Sequence, residues 1–332
     1  MNLHTQSARL ATVSLAVALT LALSAVHGVA ETRTEDFSAD PSLRGWQAFG
    51  NTNLFHWDAE HGRLDVTWDT ANPHSFFALP LGRTLTTADD FVADITLHLT
   101  DIAGGVRENR PGAMPLSLGF LNLSGALAGN YQRGAGRARD TLEFAWFPAG
   151  EIPGFGVVDP TVSPITWDSA GKVAASFTFP VVPVAGSTYR LRLEYQAANR
   201  TVTPSLLLDD QAWPLNPLKL PATFGSFALD AFAVMVWNET TSLSDSLLAH
   251  GWVDEVRLVL PAAPIERLTL VGEGEVRCAT LKGWRYTLEA SGDLQNWSAV
   301  AAEAGTGDVL SLFDQRDAVF REQFYRVQAE PE

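Results

Sequence analysis

Alternation of apolar and polar residues at every second position dominates the chain after its first thirty residues. Leu64, Val66 and Trp68 alternate with charged or hydroxyl residues, and the segments 91–99 and 189–195 repeat this pattern. Because successive side chains of a strand point to opposite faces, each segment has one apolar and one solvated face. Other runs are almost entirely apolar and predict strands that are buried on both faces. These runs are Leu142–Phe147, Phe177–Val182, Phe227–Trp237 and Val253–Leu260.

Glycine and proline residues separate these runs, as in a chain of many short strands. The pattern predicts an all-β fold, a jelly-roll β-sandwich over residues 31–260. Two long polar connections, 101–115 and 148–172, are interpreted as candidate functional loops, and disorder would explain them equally well.

A second, smaller unit follows the run Pro261-Ala262-Ala263-Pro264, which is typical of a short, stiff linker. Residues 265–332 contain five further strand-like segments and are predicted to form a small C-terminal β module.

The first thirty residues have the pattern of a secretory signal peptide. Arg9 precedes an apolar run from Leu10 to Val26, and small residues occupy positions 28 and 30. We expect cleavage after Ala30, which would place the mature chain in the medium, in the periplasm or on the cell surface. An uncleaved anchor is the alternative, but the run is at the lower limit of a bilayer span and no basic cluster follows it. No membrane insertion of the mature chain is expected.

Charge and cysteine content exclude several classes of function. The net charge is −15, which argues against a nucleic-acid partner because phosphate contacts need a basic patch. A single cysteine excludes an internal disulfide framework and a multi-cysteine zinc site.

Two stretches resemble known families. The first includes LFHWDAEHGRLDVTWDTANPHSFFALPLG and SLLAHGWVDEVRL, and it resembles the concanavalin-A-like lectin/glucanase superfamily, in the form of LamG-like jelly rolls of secreted bacterial proteins. The second, RYTLEASGDLQNWSAV with LFDQRDAVFREQFYRVQ, resembles a small C-terminal β module of exported bacterial proteins. The resemblance implies a two-sheet sandwich, secretion and contact with glycans or cell-surface material. It does not imply an enzyme.

Catalytic motifs are missing from the sequence. Glycan hydrolases on this fold use paired carboxylates at period-2 spacing, whereas Glu143 stands alone on its strand face. There is no nucleophile elbow and no zinc motif. A polysaccharide lyase would need His, Tyr and Arg around a groove, and His98, Tyr131 and Arg133 have no supporting spacing.

Calcium is the one cofactor that the sequence suggests. In many jelly rolls an acid near the first strand meets another in the last strand, and a hard cation takes their oxygens. Here these positions would be Asp36 and Asp254. The alternative is that both are ordinary solvated acids.

Aromatic residues are the remaining functional signal, because sugar-binding modules stack pyranose rings on exposed aromatic side chains beside amides and carboxylates. The candidate ligand-binding residues are Trp146, Trp167 with Asp168, and Trp237 with Asn238. Core packing is the competing interpretation for each tryptophan.

Three hypotheses follow for the function. The first is a secreted, non-catalytic module that binds carbohydrate or cell-surface material. The second is a divergent glycan hydrolase or polysaccharide lyase, which would need a second carboxylate or a His/Tyr pair facing Glu143. The third is a structural envelope protein without a small-molecule ligand.

Overall fold

The computed structural model describes residues 30–72, 74–133, 137–152, 156–209, 211–238, 245–261, 268–271, 274–280, 284–316 and 323–331. The predicted leader, apart from Ala30, and residues 262–264 of the predicted linker lie outside these ranges. No helix of the described ranges is long and apolar enough to cross a membrane.

The described part of the first unit is built from strands, with a single turn of α-helix, α1 (Leu123–Ala126), and 3-10 turns at Pro41–Arg44 and Thr52–Leu54. Its strands are β1 (Glu31–Glu35), β2 (Gln47–Phe49), β3 (Phe55–Asp58), β4 (Arg63–Asp69), β5 (Ser75–Leu85), β6 (Phe91–Gly104), β7 (Gly112–Ala113), β8 (Leu116–Leu121), β9 (Thr141–Phe147), β10 (Gly150–Ile152), β11 (Gly156–Val158), β12 (Thr161–Trp167), β13 (Val173–Ala175), β14 (Ser187–Gln196), β15 (Thr201–Leu208), β16 (Gln211–Trp213), β17 (Leu218–Lys219), β18 (Leu229–Val236) and β19 (Asp245–Leu260).

Apart from β10 and β11, which pair with each other in a separate two-stranded sheet, these strands form two large sheets that pack face to face. The seven-stranded sheet has the order β13-β12-β9-β8-β18-β5-β2, and the ten-stranded sheet has the path β16-β15-β14-β6-β19-β4-β3, with β1, β7 and β17 attached beside it. Aromatic rings join the two sheets in the interior, where Trp146 of β9 meets Tyr189 of β14 at 4.8 Å between ring centroids. The predicted all-β sandwich is therefore confirmed.

Period-2 burial explains the sandwich. In β4, Leu64, Val66 and Trp68 are buried, while the residues between them are half-buried. Each apolar face lies against the other sheet, as the alternation predicts.

Three sequence interpretations need correction. The predicted strand Phe177–Val182 is an irregular segment that pairs with β12 through a single bridge, Val162 to Thr178. The segment 148–172, interpreted as a loop, contains the wholly buried strand β12. Similarly, the segment 101–115 begins inside β6, which continues to Gly104.

The C-terminal module forms two three-stranded sheets, β20-β21-β24 and β23-β22-β25. Their strands are β20 (Leu268–Val271), β21 (Glu275–Ala279), β22 (Trp284–Ser291), β23 (Ser298–Ala304), β24 (Val309–Phe313) and β25 (Phe324–Pro331). The module has its own apolar cluster, which includes Cys278, Tyr286 and Leu288. Within the described part of this module, β23 is the strand that sequence reasoning missed, because its apolar residues are mostly alanines.

Candidate functional site

The outer face of the seven-stranded sheet carries the most unusual chemistry of the described residues. In β9, Leu142, Phe144 and Trp146 point to the sandwich interior, so Glu143 and Ala145 point outward. Both outward residues are nevertheless completely buried. Segments outside the two sheets must therefore cover this face.

Glu143 has a full set of hydrogen-bond donors. Arg133 donates to Glu143 Oε1 from Nε at 2.8 Å and from Nη2 at 2.5 Å, and Trp237 Nε1 donates to Oε2 at 2.9 Å. All three side chains are at most 6% exposed. A buried carboxylate is costly unless it is paired and hydrogen-bonded, and here both oxygens are satisfied.

Two further aromatic groups surround Trp237. Tyr131 stacks on the indole with the ring centroids 5.5 Å apart, and His74 meets it edge-on at 5.6 Å. Tyr131 also shares a hydrogen bond with Thr141 at 2.9 Å. We call His74, Tyr131, Arg133, Glu143 and Trp237 the polar cluster.

Burial changes the protonation of this cluster. It lowers the pKa of His74 to about 4, so the imidazole is neutral at neutral pH. Burial also raises the pKa of Tyr131, which stays protonated. His74 Nε2 and Asn238 Oδ1 are buried atoms with no hydrogen-bond partner among the described residues. Among the described residues, the polar cluster thus keeps one buried polar atom, His74 Nε2, without a hydrogen bond.

An exposed aromatic surface adjoins the polar cluster. The Arg133 guanidinium lies 5.7 Å from the ring centroid of Phe147, and Phe147 lies 6.4 Å from Phe177. The rings of Phe177 and Phe179 are close to parallel, with centroids 6.0 Å apart, and they are 46% and 50% exposed. We call Phe147, Phe177 and Phe179 the aromatic strip.

Backbone hydrogen bonds position the two exposed rings. Thr178 pairs with Val162 of β12 in both directions, and Asn216 Nδ2 donates to the Phe177 carbonyl oxygen at 2.9 Å. Phe177 and Phe179 flank Thr178, and in extended chain such residues point to the same side. The strip is thus held against the sheet edge by β12.

Exposed tryptophan platforms are not found at the predicted positions. Trp146 is fully buried, and its indole N–H donates to the Val181 carbonyl oxygen at 3.0 Å. Trp167 is 5% exposed and Trp237 is 1% exposed. The prediction that a sugar stacks on any of these three tryptophans is therefore wrong. Trp146 lies between the two sheets, whereas Trp167 and Trp237 lie on the covered outer face beside Arg133 and Glu143, and in both places the large indole area is removed from water.

Asp168 and Asn238, the polar residues predicted to bind a ligand beside Trp167 and Trp237, differ in their surroundings. Asp168 is 2% exposed and accepts hydrogen bonds from the backbone N–H groups of Ala170, Lys172 and Gly225. Its carboxylate therefore stabilises a turn and does not face a ligand. Asn238 is half-buried beside Trp237 and stays a predicted ligand contact.

The two residues proposed for calcium each have other partners in the structure. Asp36 is exposed and accepts hydrogen bonds from Ser38 and Arg44, which lower the pKa of its carboxyl to about 2. Asp254 lies among Arg63, His98 and Trp252, and burial raises its pKa. No group of three or more metal-ligating side chains occurs in the described ranges. Asp36 and Asp254 thus have separate partners, and a calcium site at these two acids stays a prediction.

His98 is also placed elsewhere than a lyase-like site would require. It stacks on Trp252 of the ten-stranded sheet, with centroids 3.7 Å apart, and bonds to Thr188. The histidine that lies beside Tyr131 is His74.

Sequence reasoning missed His74, Phe177 and Phe179. The only available signal was the phenylalanine pair around Thr178, which the apolar pattern assigned to a buried strand.

Comparisons with known proteins were made for the whole chain. No protein-family model and no curated protein matches it. Among solved structures, lectin II from Ulex europaeus superposes with a TM-score of 0.45 at 10% identity, covering 70% of this chain and 98% of that chain. Peanut lectin with a bound peptide gives 0.44 at 10% identity, with coverage of 70% and 99%. A mutant alginate lyase in complex with alginate trisaccharide gives 0.38 at 14% identity, with coverage of 70% and 95%.

Both kinds of protein are concanavalin-A-like jelly rolls, the class that the sequence resembles. At these identities and TM-scores the similarity carries no argument about what this chain binds. The site itself must carry the functional argument.

Proposed function

We propose that this protein is a non-catalytic glycan-binding module, and that a glycan lies on the aromatic strip. The observation that carries the proposal is the near-parallel, half-exposed pair of Phe177 and Phe179. Every tryptophan of the chain is buried or half-buried. Phe177 and Phe179 are therefore more open to a stacked ligand than any indole of the protein.

The chemistry of the strip suits a sugar. The C–H face of a pyranose ring packs on an aromatic face, and polar atoms nearby orient its hydroxyl groups. Beside the strip, the exposed side chain of Asn216 donates a hydrogen bond to the Phe177 carbonyl oxygen, which places a polar amide next to the exposed rings.

Removal of the two exposed rings should abolish binding. We expect the Phe177→Ala/Phe179→Ala double variant to bind at least about tenfold more weakly than wild type, because each lost stacking contact contributes about 0.5–1.5 kcal/mol. Affinity electrophoresis in gels that contain individual polysaccharides would measure this change. Phe313→Ala is the matched control, since Phe313 is also 50% exposed but lies in the C-terminal module. Equal retardation of both variants would contradict the proposal, and wild type that binds no polysaccharide would favour a purely structural envelope role.

A catalytic role is the second candidate, and one observation favours it. His74 and Tyr131 both pack on Trp237, and the Trp237 indole donates a hydrogen bond to Glu143. A His/Tyr pair therefore does lie near this acid. Glu143 itself is tied to Arg133, which disfavours its use as a general acid. Release of unsaturated products or reducing ends from a polysaccharide, lost in Tyr131→Phe, would establish this alternative.

We also propose that the protein is exported and that its leader is removed after Ala30. Support comes from the leader pattern and from β1, which begins at Glu31, directly after the expected cleavage point. N-terminal sequencing of exported protein should start at Glu31. A sequence that begins at Met1 would contradict cleavage.

A further inference from the structure

Arg133 is the cation that lies against the aromatic strip. Its guanidinium carbon lies 5.7 Å from the ring centroid of Phe147 and 5.4 Å from that of Trp167. An arginine beside a sugar-binding surface would ordinarily attract acidic sugars, because guanidinium groups pair with carboxylates and sulfates.

In this structure that positive charge is already compensated. Glu143 accepts two hydrogen bonds from Arg133 and is completely buried, so the pair is held where solvent screens it little. Asp245 lies within electrostatic reach of Arg133 and Arg110. The chain as a whole carries a net charge of −15.

We infer that the aromatic strip binds uncharged glycans, and that Glu143 determines this specificity by neutralising Arg133 behind the strip. The inference rests on the proposed function, since it names the ligand class of the same site. Glu143 acts through Arg133 and is a positioning and charge-balancing residue, not a contact of the ligand.

The physical reason is the sign of the potential over Phe177 and Phe179. Arg133 is paired with Glu143, and Asp245 lies near Arg110 as well as Arg133, so these four groups sum to zero charge. The acidic molecule repels polyanions at longer range. An uncharged polymer feels neither effect, so stacking on the strip decides its affinity.

Polymers that share a backbone but differ in charge test which class of ligand the wild type binds. Polygalacturonate and alginate would be compared with the same polymers after carboxyl reduction, together with galactan, glucomannan and curdlan. We expect measurable binding only among the uncharged polymers. That binding should change little as NaCl is raised from about 0.05 to 0.5 M, because no ion pair is involved.

Variants test the role of Glu143. The Glu143→Gln variant keeps a hydrogen-bond acceptor but leaves the Arg133 charge uncompensated, so it should acquire measurable binding to polygalacturonate at low salt, which the wild type lacks. The matched control, Arg133→Gln/Glu143→Gln, removes both charges and should return to the wild-type preference. Circular dichroism would confirm that both variants fold, and the wild-type polymer panel decides the ligand class even if they do not.

The outcomes separate the two proposals. Wild type that binds acidic polymers as tightly as their reduced forms would overturn the inference and leave glycan binding intact. Binding of no polymer at all would overturn both. Salt-sensitive binding, or a Glu143→Gln variant with unchanged preference, would also overturn the role given to Glu143.

Discussion

His74 shows how one residue acquires unusual chemistry from its surroundings. Its ring lies among Phe76, Tyr131 and Trp237, and no described group neutralises a charge on it. Desolvation therefore lowers the pKa of His74 from its usual 6.5 to about 4. Folding keeps this imidazole neutral at a pH where the unfolded chain would already bind a proton.

This difference makes part of the folding stability depend on pH. Because the folded pKa is depressed, the contribution of His74 is complete above pH 6.5 and is lost as the pH falls towards 4. The free energy of unfolding of wild type, relative to His74→Gln, should therefore fall across this window by at most about 1.4 kcal/mol per pH unit. Urea denaturation at several pH values would measure it. His56→Gln, which changes an exposed histidine, is the control, and parallel pH profiles of wild type and His74→Gln would contradict the argument.

Strands β8 and β9 show how an element makes room for the site. Gly119 of β8 is directly opposite Glu143 of β9. A Cβ atom built on Gly119 would lie 2.3 Å from the Leu142 carbonyl oxygen and 2.9 Å from Glu143 Cα. No side chain fits between these two backbones, so glycine is required beneath the Arg133–Glu143 pair.

Adding a single methyl group at this position should separate the strands. We expect Gly119→Ala to lower the free energy of unfolding by about 1–3 kcal/mol, the usual cost of overpacking. Thermal and urea denaturation would measure the loss. Gly292→Ala is the matched control, because no heavy atom lies within 4 Å of its Cβ position, and equal stability of the two variants would show that β8 and β9 can shift apart freely.

At the scale of the whole molecule, Arg83 connects three segments that are distant in sequence. It pairs with Glu31 of β1 at 2.9 Å, donates to the Pro261 carbonyl oxygen, and lies 4.8 Å from the Trp284 ring centroid of the C-terminal module. Arg83 and Glu31 are each 5% exposed at their side chains. The first strand, the end of the sandwich and the module thus share one buried cation.

Loss of this cation should weaken the junction between the two units. We expect Arg83→Met to destabilise the protein by about 1–3 kcal/mol, because buried acceptors lose a charged donor. It should also speed the release of a sandwich-sized fragment by limited proteolysis. Arg33→Met is the control. Arg33 also pairs with Glu31, but it donates its other hydrogen bond to the Leu81 carbonyl oxygen of the sandwich and not to the C-terminal module. Identical proteolysis of the two variants would rule out a joining role for Arg83.

The alternating pattern by itself determined the layered all-β architecture and the positions of β4, β6 and β14. Period-2 burial of Leu64, Val66 and Trp68 is a local consequence of strand geometry, so it can be read along the chain. The same reasoning could not tell buried from exposed aromatics within apolar runs. The sequence analysis therefore predicted that Phe177 lies inside a strand and that Trp146 binds a ligand.

Only the tertiary structure decided what the site is. His74, Tyr131, Arg133, Glu143 and Trp237 come from separate segments, and their contact depends on which sheet face each segment covers. Burial, hydrogen-bond partners and pKa shifts are properties of that contact and not of residue spacing. For the same reason the sequence could not show that Asp36 lies beside Ser38 and Arg44, whereas Asp254 lies beside Arg63, His98 and Trp252.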